Sequence, residues 1–358
     1  MERAATYHSQ AASFSTAERR HPATPRIASF DLIKTIAIFG VICIHTVPFR
    51  HISVPLAAAI NDLTRFGVPY FFIVSGYFFA KRVRDGAPLG ELHRRTTNRL
   101  ILAFVIASAI YIVEPVFGPG VLREPLSQSV VDKALAAGAH PLRLLLEGTK
   151  PQLWFLVSLA MALAIYAAFA YFGWEDKIFY LAVPLYEFGV LAGAYAATPI
   201  GFHVGFNTRD GPFFATLFVA IGAWLARSGY RPPLRLALAM LYAGLVLHSV
   251  EAGVLWQFYG VSPFGIDYVH GTALYGIGAA FLALALPDLA TGSALARWGR
   301  LTLGIYLLHF LAIDLLGPWA PDFPPLSWQL VFPTAVFAIA LAVTRLAAKV
   351  PLLRKVVI

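Results

Sequence analysis

FDLIKTIAIFGVICIH, residues 30–45, reads as the opening of a membrane helix interrupted by an acid, a base and an imidazole. Asp31 and Lys34 stand near its start and His45 near its end, with apolar residues filling most of the space between. Helical geometry makes the interruption orderly. Lys34 and His45 are 11 residues apart, a rotation that lands only about 20° past three full turns. Asp31 lies one turn before Lys34 on the same face. The three groups therefore form one stripe about 21 Å long. An ionisable side chain at depth in lipid costs about 2.5–3.5 kcal/mol or more unless it faces protein or water. One reading is an interfacial pair with Lys34 snorkelling to the headgroups and His45 bonded to a neighbouring helix. The other is a polar cavity lined by all three.

The rest of the chain sets this helix in a bilayer. Of its 358 residues, 58% are hydrophobic and 13% charged, with a mean hydropathy of +0.69; soluble domains carry about 25% charged residues. Such a surface cannot be hidden from water by folding on itself, so the fold class expected is all-α and polytopic. A ruler of about 20 apolar residues finds ten candidate spans, at 28–48, 62–80, 100–117, 152–172, 178–197, 212–228, 234–252, 265–286, 301–318 and 326–348. Asp62 and Arg65 intrude on the second and Asp314 on the ninth.

Basic residues orient the spans. With the N-terminus inside, cytoplasmic segments hold 20 of the 28 Lys and Arg, outer loops hold six, and Lys34 and Arg65 lie within spans. The positive-inside rule thus predicts ten helices with both termini cytoplasmic. It also accounts for most of the net charge of +9, so the charge gives no ground for a nucleic-acid partner. Residues 1–26 are polar without an apolar signal region and read as a disordered cytoplasmic tail. Residues 27–358 read as a single membrane domain. The one long outer loop, about 118–151, reads as a loop with one surface helix. Cys43 is the sole cysteine, which excludes an internal disulfide and a multi-cysteine metal site.

A basic residue followed by ten residues and a His in the first membrane helix resembles the acyltransferase 3 family of membrane O-acyltransferases. That family usually places Arg where this chain has Lys34, a change that keeps the charge and loses the planar fork. GVPYFFIVSGYFF at 67–79 is similar to the family's second-helix signature, and RRTTNRL at 94–100 to the arginine-rich entry to its third helix. QLWFLVSL at 152–159 and LTLGIYLLH at 301–309 resemble two further elements. NTRDGPFFATLFVAIGAWLA at 207–226 resembles a segment of the stand-alone sugar O-acetyltransferase subset. Together, and in order, these cover about 300 residues.

The resemblance implies transfer of an acyl group, commonly acetyl, from cytoplasmic acyl-coenzyme A as donor co-substrate to a hydroxyl of a cell-envelope or exported carbohydrate, a lipid-linked glycan included. It implies no permanently bound cofactor and no metal, and the plasma (inner) membrane as location. A separate extracytoplasmic transferase partner is compatible with it. His45 suits general-base work or transient acyl carriage, with Lys34 and Asp31 as its companions in the site. Arg95 and Arg99, one helical turn apart in the basic loop 81–99, are candidates to grip donor phosphate. Ser75 either lines the acyl channel or, with Gly76, marks a close helix crossing. Tyr306 and His309 share a face, and His309 is either a site residue or a core histidine. Arg209 and Glu251, each at a helix end, are the acceptor-side candidates. The competing reading is a transporter or exporter of a glycan or lipid-linked sugar that uses the same polar stripe as a pathway.

Overall fold

Each of the ten apolar stretches contains a helix in the computed structural model, which describes residues 27–115, 117–118, 121–122, 125–321 and 325–358. The tail reading for 1–26 lies outside these residues. In chain order the helices are α1 (Ala28–Thr46), α2 (Val54–Thr64), α3 (Gly67–Arg84), α4 (Leu89–Val113), α5 (Leu126–Ala139), α6 (Pro141–Glu147), α7 (Trp154–Tyr171) and α8 (Phe179–Ala192). They continue with α9 (Pro212–Ser228), α10 (Leu234–Tyr259), α11 (His270–Ala285), α12 (Ala294–Trp298), α13 (Thr302–Leu316), α14 (Leu326–Ala347) and α15 (Pro351–Val357). Extended pairing among the described residues is limited to Phe117–Gly118 against Val121–Leu122.

Among the described residues six helical segments are long and apolar enough to cross a membrane: those containing α1, α4, α7, α10, α13 and α14. The helices α9 and α11 are shorter and apolar. Large hydrophobic side chains stand exposed along α4 (Ile101, Val105, Val113), α10 (Leu238, Tyr242, Val250) and α14 (Leu330, Val331, Leu346). Apolar faces of this extent would be a liability in water and are the lipid-facing surface of a multi-pass membrane protein.

Two stretches differ from the hydropathy reading. The second span is divided: α2 ends at Thr64 and α3 begins at Gly67, so Asp62 and Arg65 sit at a junction, not within a span. The contacts of Arg65 make that break tolerable. It is 6% exposed, and its Nε donates to Asn61 Oδ1 at 2.7 Å while Nη1 lies 3.5 Å from Asp267 Oδ1. The stretch read as an outer loop, in turn, carries two helices, α5 and α6.

Two close approaches set the frame. A Cβ on Gly76 would stand 2.2 Å from Val219 O, and one on Gly222 1.9 Å from Ile73 O, so α3 and α9 meet backbone to backbone as small residues permit. Gly299, just before α13, packs onto Asp31 O, where an added Cβ would stand at 2.1 Å. These contacts place the starts of α1 and α13 together at one end of the bundle, with α15. That end is called the terminal end below, and the opposite one the far end.

Candidate active site

A cavity of about 340 Å³ runs along the stripe on α1, walled by α3, α4, α7 and α13. Lys34 and His45 both line it, so the face expected from the helical repeat is the face that looks inward. Its terminal end is bounded by Lys34, Arg82, Arg99 and Arg300. Its middle is largely apolar, with Phe71, Val74, Phe78, Leu159 and Leu303 beside the hydroxyl of Ser75. That hydroxyl donates to Phe71 O at 2.8 Å. The glycine of the pair Ser75-Gly76 thus sits at the helix crossing and the serine on the cavity wall. His45, Gln152, Trp154, Phe155 and Tyr306 close the far end.

Asp31 does not reach the cavity. It is buried and lies 2.6 Å from Lys34 Nζ, where it holds the ammonium against α1 and supplies its counter-charge. The other three cations at this end differ. Among the described residues Arg82, Arg99 and Arg300 have no carboxylate within 4 Å. Arg95, paired with Arg99 in the sequence reading, points elsewhere: it is exposed and forms an ion pair with Glu91.

Around His45 the polar groups are poised without partners. The ring of His45 lies 5.4 Å from that of His309 and 4.8 Å from that of Phe310, centroid to centroid. His309 is fully buried. Its Nδ1 lies 2.7 Å from Tyr306 O, which makes Nδ1 the protonated nitrogen and leaves Nε2 a lone pair. That Nε2, the Tyr306 hydroxyl and both side-chain ends of Gln152 are buried with no hydrogen-bond partner among the described residues. Buried polar groups are nearly always satisfied, and an orphan needs an explanation. Several beside one histidine, at the end of a cavity, mark a place that receives a polar ligand.

Sequence reading missed Gln152. Its signal was present, a lone amide at the head of the aromatic run LWF, but only the 3-10 turn Pro151–Leu153 tucks it inward.

Beyond Trp154 lies a second, neutralised polar layer. The Arg209 guanidinium stacks on the Trp154 ring at 5.5 Å and stands 3.4–3.5 Å from Glu147, Asp210 and Asp267. Asp267 also pairs with Arg65, so one carboxylate links both cations. The turn NTRDG is fixed from two sides. Ser158 Oγ on α7 donates to Arg209 O at 3.2 Å and accepts from Gly211 N at 2.9 Å; the Arg209 amide donates to Asn207 Oδ1 at 3.1 Å. Burial and a hydrogen bond shared with Glu147 push Asp210 up to about 7. Burial acts on Glu147 in the same sense, but hydrogen bonds from Arg143 and Asp210 and the charge of Arg209 outweigh it and hold this carboxyl below its usual range. The two carboxyls are thus displaced in opposite directions, Asp210 up and Glu147 down.

Glu251 belongs to a different cluster. Its carboxylate accepts from Tyr195 Oη at 2.6 Å and Gly271 N at 2.6 Å and lies 2.8 Å from His270 Nδ1. His270 Nε2 in turn meets Glu187 at 2.9 Å. Glu251 thereby satisfies the start of α11, where a negative charge is favoured, and it does not line the cavity.

Among curated proteins the chain is similar to a serine/alanine racemase of Enterococcus gallinarum, 24% identical over 302 residues that make up 78% of this chain and 40% of that one. An amino-acid racemase of Enterococcus faecalis is 24% identical over 227 residues, 57% of this chain and 29% of that protein. The chain therefore spans less than half of each relative, and their names describe much longer proteins. No solved structure matches. The model of the acyltransferase domain, the acyltransferase 3 family, matches residues 27–345, a stretch that holds both the stripe on α1 and nearly all of the cavity it faces. The chain belongs to the acyltransferase 3 family.

Proposed function

We propose that this protein is a plasma-membrane O-acyltransferase with ten crossings and both termini in the cytoplasm. It moves an acyl group, acetyl in the first instance, from cytoplasmic acyl-coenzyme A to a hydroxyl of a cell-envelope or exported carbohydrate, directly or through a separate extracytoplasmic transferase. The observation that carries this is the asymmetry of charge about His45. The terminal end gathers Arg82, Arg99 and Arg300, without counter-charges among the described residues, which suits a donor rich in phosphate. The far end sets Arg65 and Arg209 against Asp267, Asp210 and Glu147, which suits a neutral, hydroxyl-bearing acceptor beside an aromatic ring.

Chemistry follows from the groups between. The hydroxyl oxygen of the acceptor bonds to the thioester carbonyl carbon as the His45 imidazole takes its proton. The carbonyl oxygen gains charge, and the Gln152 amide and Tyr306 hydroxyl are donors without other partners among the described residues to meet it. The C–S bond then breaks, and the leaving sulfur takes the proton from the imidazolium, giving an ester and a free thiol. Transient acylation of His45 itself gives the same products in two steps. Lys34, where Arg is usual, acts in this reading as a point charge toward the donor, oriented by Asp31.

Purified protein in detergent, supplied with acetyl-coenzyme A and membrane extract, is expected to release thiol, and His45→Ala to release at least about a hundredfold less. Folded wild-type protein that neither binds nor cleaves the thioester would sink the donor assignment and favour the transport reading.

A further inference from the structure

Beyond the cavity mouth, at the terminal end, a recess of about 840 Å³ opens between α4, the end of α14 and α15. Arg99, Lys349, Arg354 and Lys355 line it. Its lining has a structural cause. Val356 and Val357 are 2% and 3% exposed, and Val357 packs on Gly304 of α13, where an added Cβ would meet it at 2.9 Å. With those two valines turned inward, Arg354 and Lys355 are left on the open side, across from Arg99. The C-terminal helix is therefore pinned to the bundle, and its charges converge on a concavity.

Topology alone asks only for positive charge on a cytoplasmic surface. It does not ask four cations to share a recess. Among the described residues none of the four has a carboxylate within 4 Å, so the recess keeps an excess of positive charge that favours an anion brought from outside, even with the terminal carboxylate of Ile358 on its lining. Two residues decide which anion. Arg99 and Ile358 line both the recess and the cavity, so the two spaces are contiguous. The more open, cationic one stands outside, and the more enclosed, largely apolar one leads toward His45. A ligand matching both has a bulky polyanionic head on a thin, mostly uncharged arm.

We propose that this recess is a nucleotide-phosphate site in which Lys349, Arg354 and Lys355 hold the 3′-phosphate of the donor, so that α15 selects phosphorylated coenzyme A over dephosphorylated or pantetheine-only donors. The assignment rests on the acyl-transfer reading for the identity of the donor and adds to it the residues that discriminate among donors. Lys, a point charge with rotatable donors, fits a phosphomonoester that must be released after each turnover. Phosphate chemistry could also reach the recess as an anionic lipid headgroup, and the experiment separates the two sources.

The test is equilibrium binding of adenosine 3′,5′-bisphosphate and of adenosine 5′-monophosphate to the full chain in neutral-lipid nanodiscs, with and without added phosphatidylglycerol. The variants are Lys349→Gln/Arg354→Gln/Lys355→Gln, all at exposed positions, and Arg231→Gln, an exposed base outside the recess. Wild type and Arg231→Gln are expected to prefer the bisphosphate at least tenfold, and the triple variant to lose that preference. An undiminished preference in a triple variant with wild-type melting temperature overturns the proposal. So does a wild type that binds no bisphosphate, or one whose phosphatidylglycerol, not its bisphosphate, is lost in the triple variant. Thiol release from saturating acetyl-coenzyme A by the same wild-type preparation scores the acyl-transfer reading independently of these outcomes.

Discussion

His45 and His309 lie 5.4 Å apart, ring to ring, and only His309 is tied down, by the hydrogen bond from its Nδ1 to Tyr306 O. His45 has no such tether among the described residues and faces the cavity. In the acyl-transfer reading proposed above, His45 moves the proton and His309 positions it. His45→Gln is expected to lower kcat by about 10²–10⁴, with binding of a donor analogue kept within a few-fold. His309→Gln should cost roughly tenfold and shift the acidic limb of the pH–rate profile. Equal, total losses in both variants would instead mean that they act as one unit or that both unfold, which melting curves would separate.

Arg209 offers a second discrimination. It meets three carboxylates and a tryptophan face, a geometry that a planar fork satisfies and an ammonium does not. Arg209→Lys is expected to raise the acceptor KM about tenfold, equivalent to roughly 1.4 kcal/mol, while the acceptor-independent hydrolysis of acetyl-coenzyme A stays near the wild-type rate. The reverse pattern, a donor-side defect with normal acceptor KM, would remove Arg209 from the proposed acceptor side.

The raised carboxyl of Asp210 has a pH signature with a definite sign. Its carboxyl is raised from 3.8 to about 7, so the folded state favours the protonated acid. A group raised in this way contributes stability that is whole below the unfolded value and is lost as pH rises through the folded one. Melting temperature is therefore expected to fall between about pH 4 and 7 by more in wild type than in Asp210→Asn, whose amide mimics the neutral acid, and the difference should level off above pH 7. Glu147 carries the opposite sign, since its carboxyl is held low; its contribution is present at neutral pH and lost on acidification below about 4.5. Parallel profiles for wild type and Asp210→Asn would show that Asp210 is an ordinary carboxylate.

Much of this site is legible in the sequence, and the misreadings share one cause: the deciding partner is not visible from the residue itself. Lys34, His45, Ser75 and Tyr306 all reach the cavity, because period and membrane cost together dictate which face of a helix a polar group must take. Helix-end position is a weaker guide. Arg209 stacks on Trp154, one of the residues that close the far end, yet Glu251, chosen on the same ground, caps α11 instead, and its partners Tyr195, His270 and Gly271 come from elsewhere in the chain. Arg95 fails for a local reason, since Glu91 one turn earlier competes for it. The break at Arg65 was hidden because the carboxylate that makes a buried guanidinium tolerable, Asp267, lies far along the sequence. Gln152 went unseen since an amide carries no charge to flag it.

The adjacent pair Ser75 and Gly76 separates chemistry from architecture most cleanly. Only the glycine sits where α3 meets α9, with Val219 O 2.2 Å from the place a Cβ would occupy. Backbone atoms cannot rotate away as a flexible side chain can, so Gly76→Ala must push two helices apart, an overpacking cost of about 1–3 kcal/mol. Ser75 faces the cavity, and among the described residues its hydroxyl bonds only its own helix, to Phe71 O. Ser75→Ala is expected to leave the melting temperature within a degree or two of wild type, because loss of an intrahelical bond of this kind changes helix stability little. Its effect should appear in the preference among acyl chains, measured as relative kcat/KM for acetyl and longer thioesters, since the methyl widens an already apolar wall. A Gly76→Ala protein as stable as wild type would show that the crossing of α3 and α9 is looser than the geometry states, and with it the wall that carries Ser75.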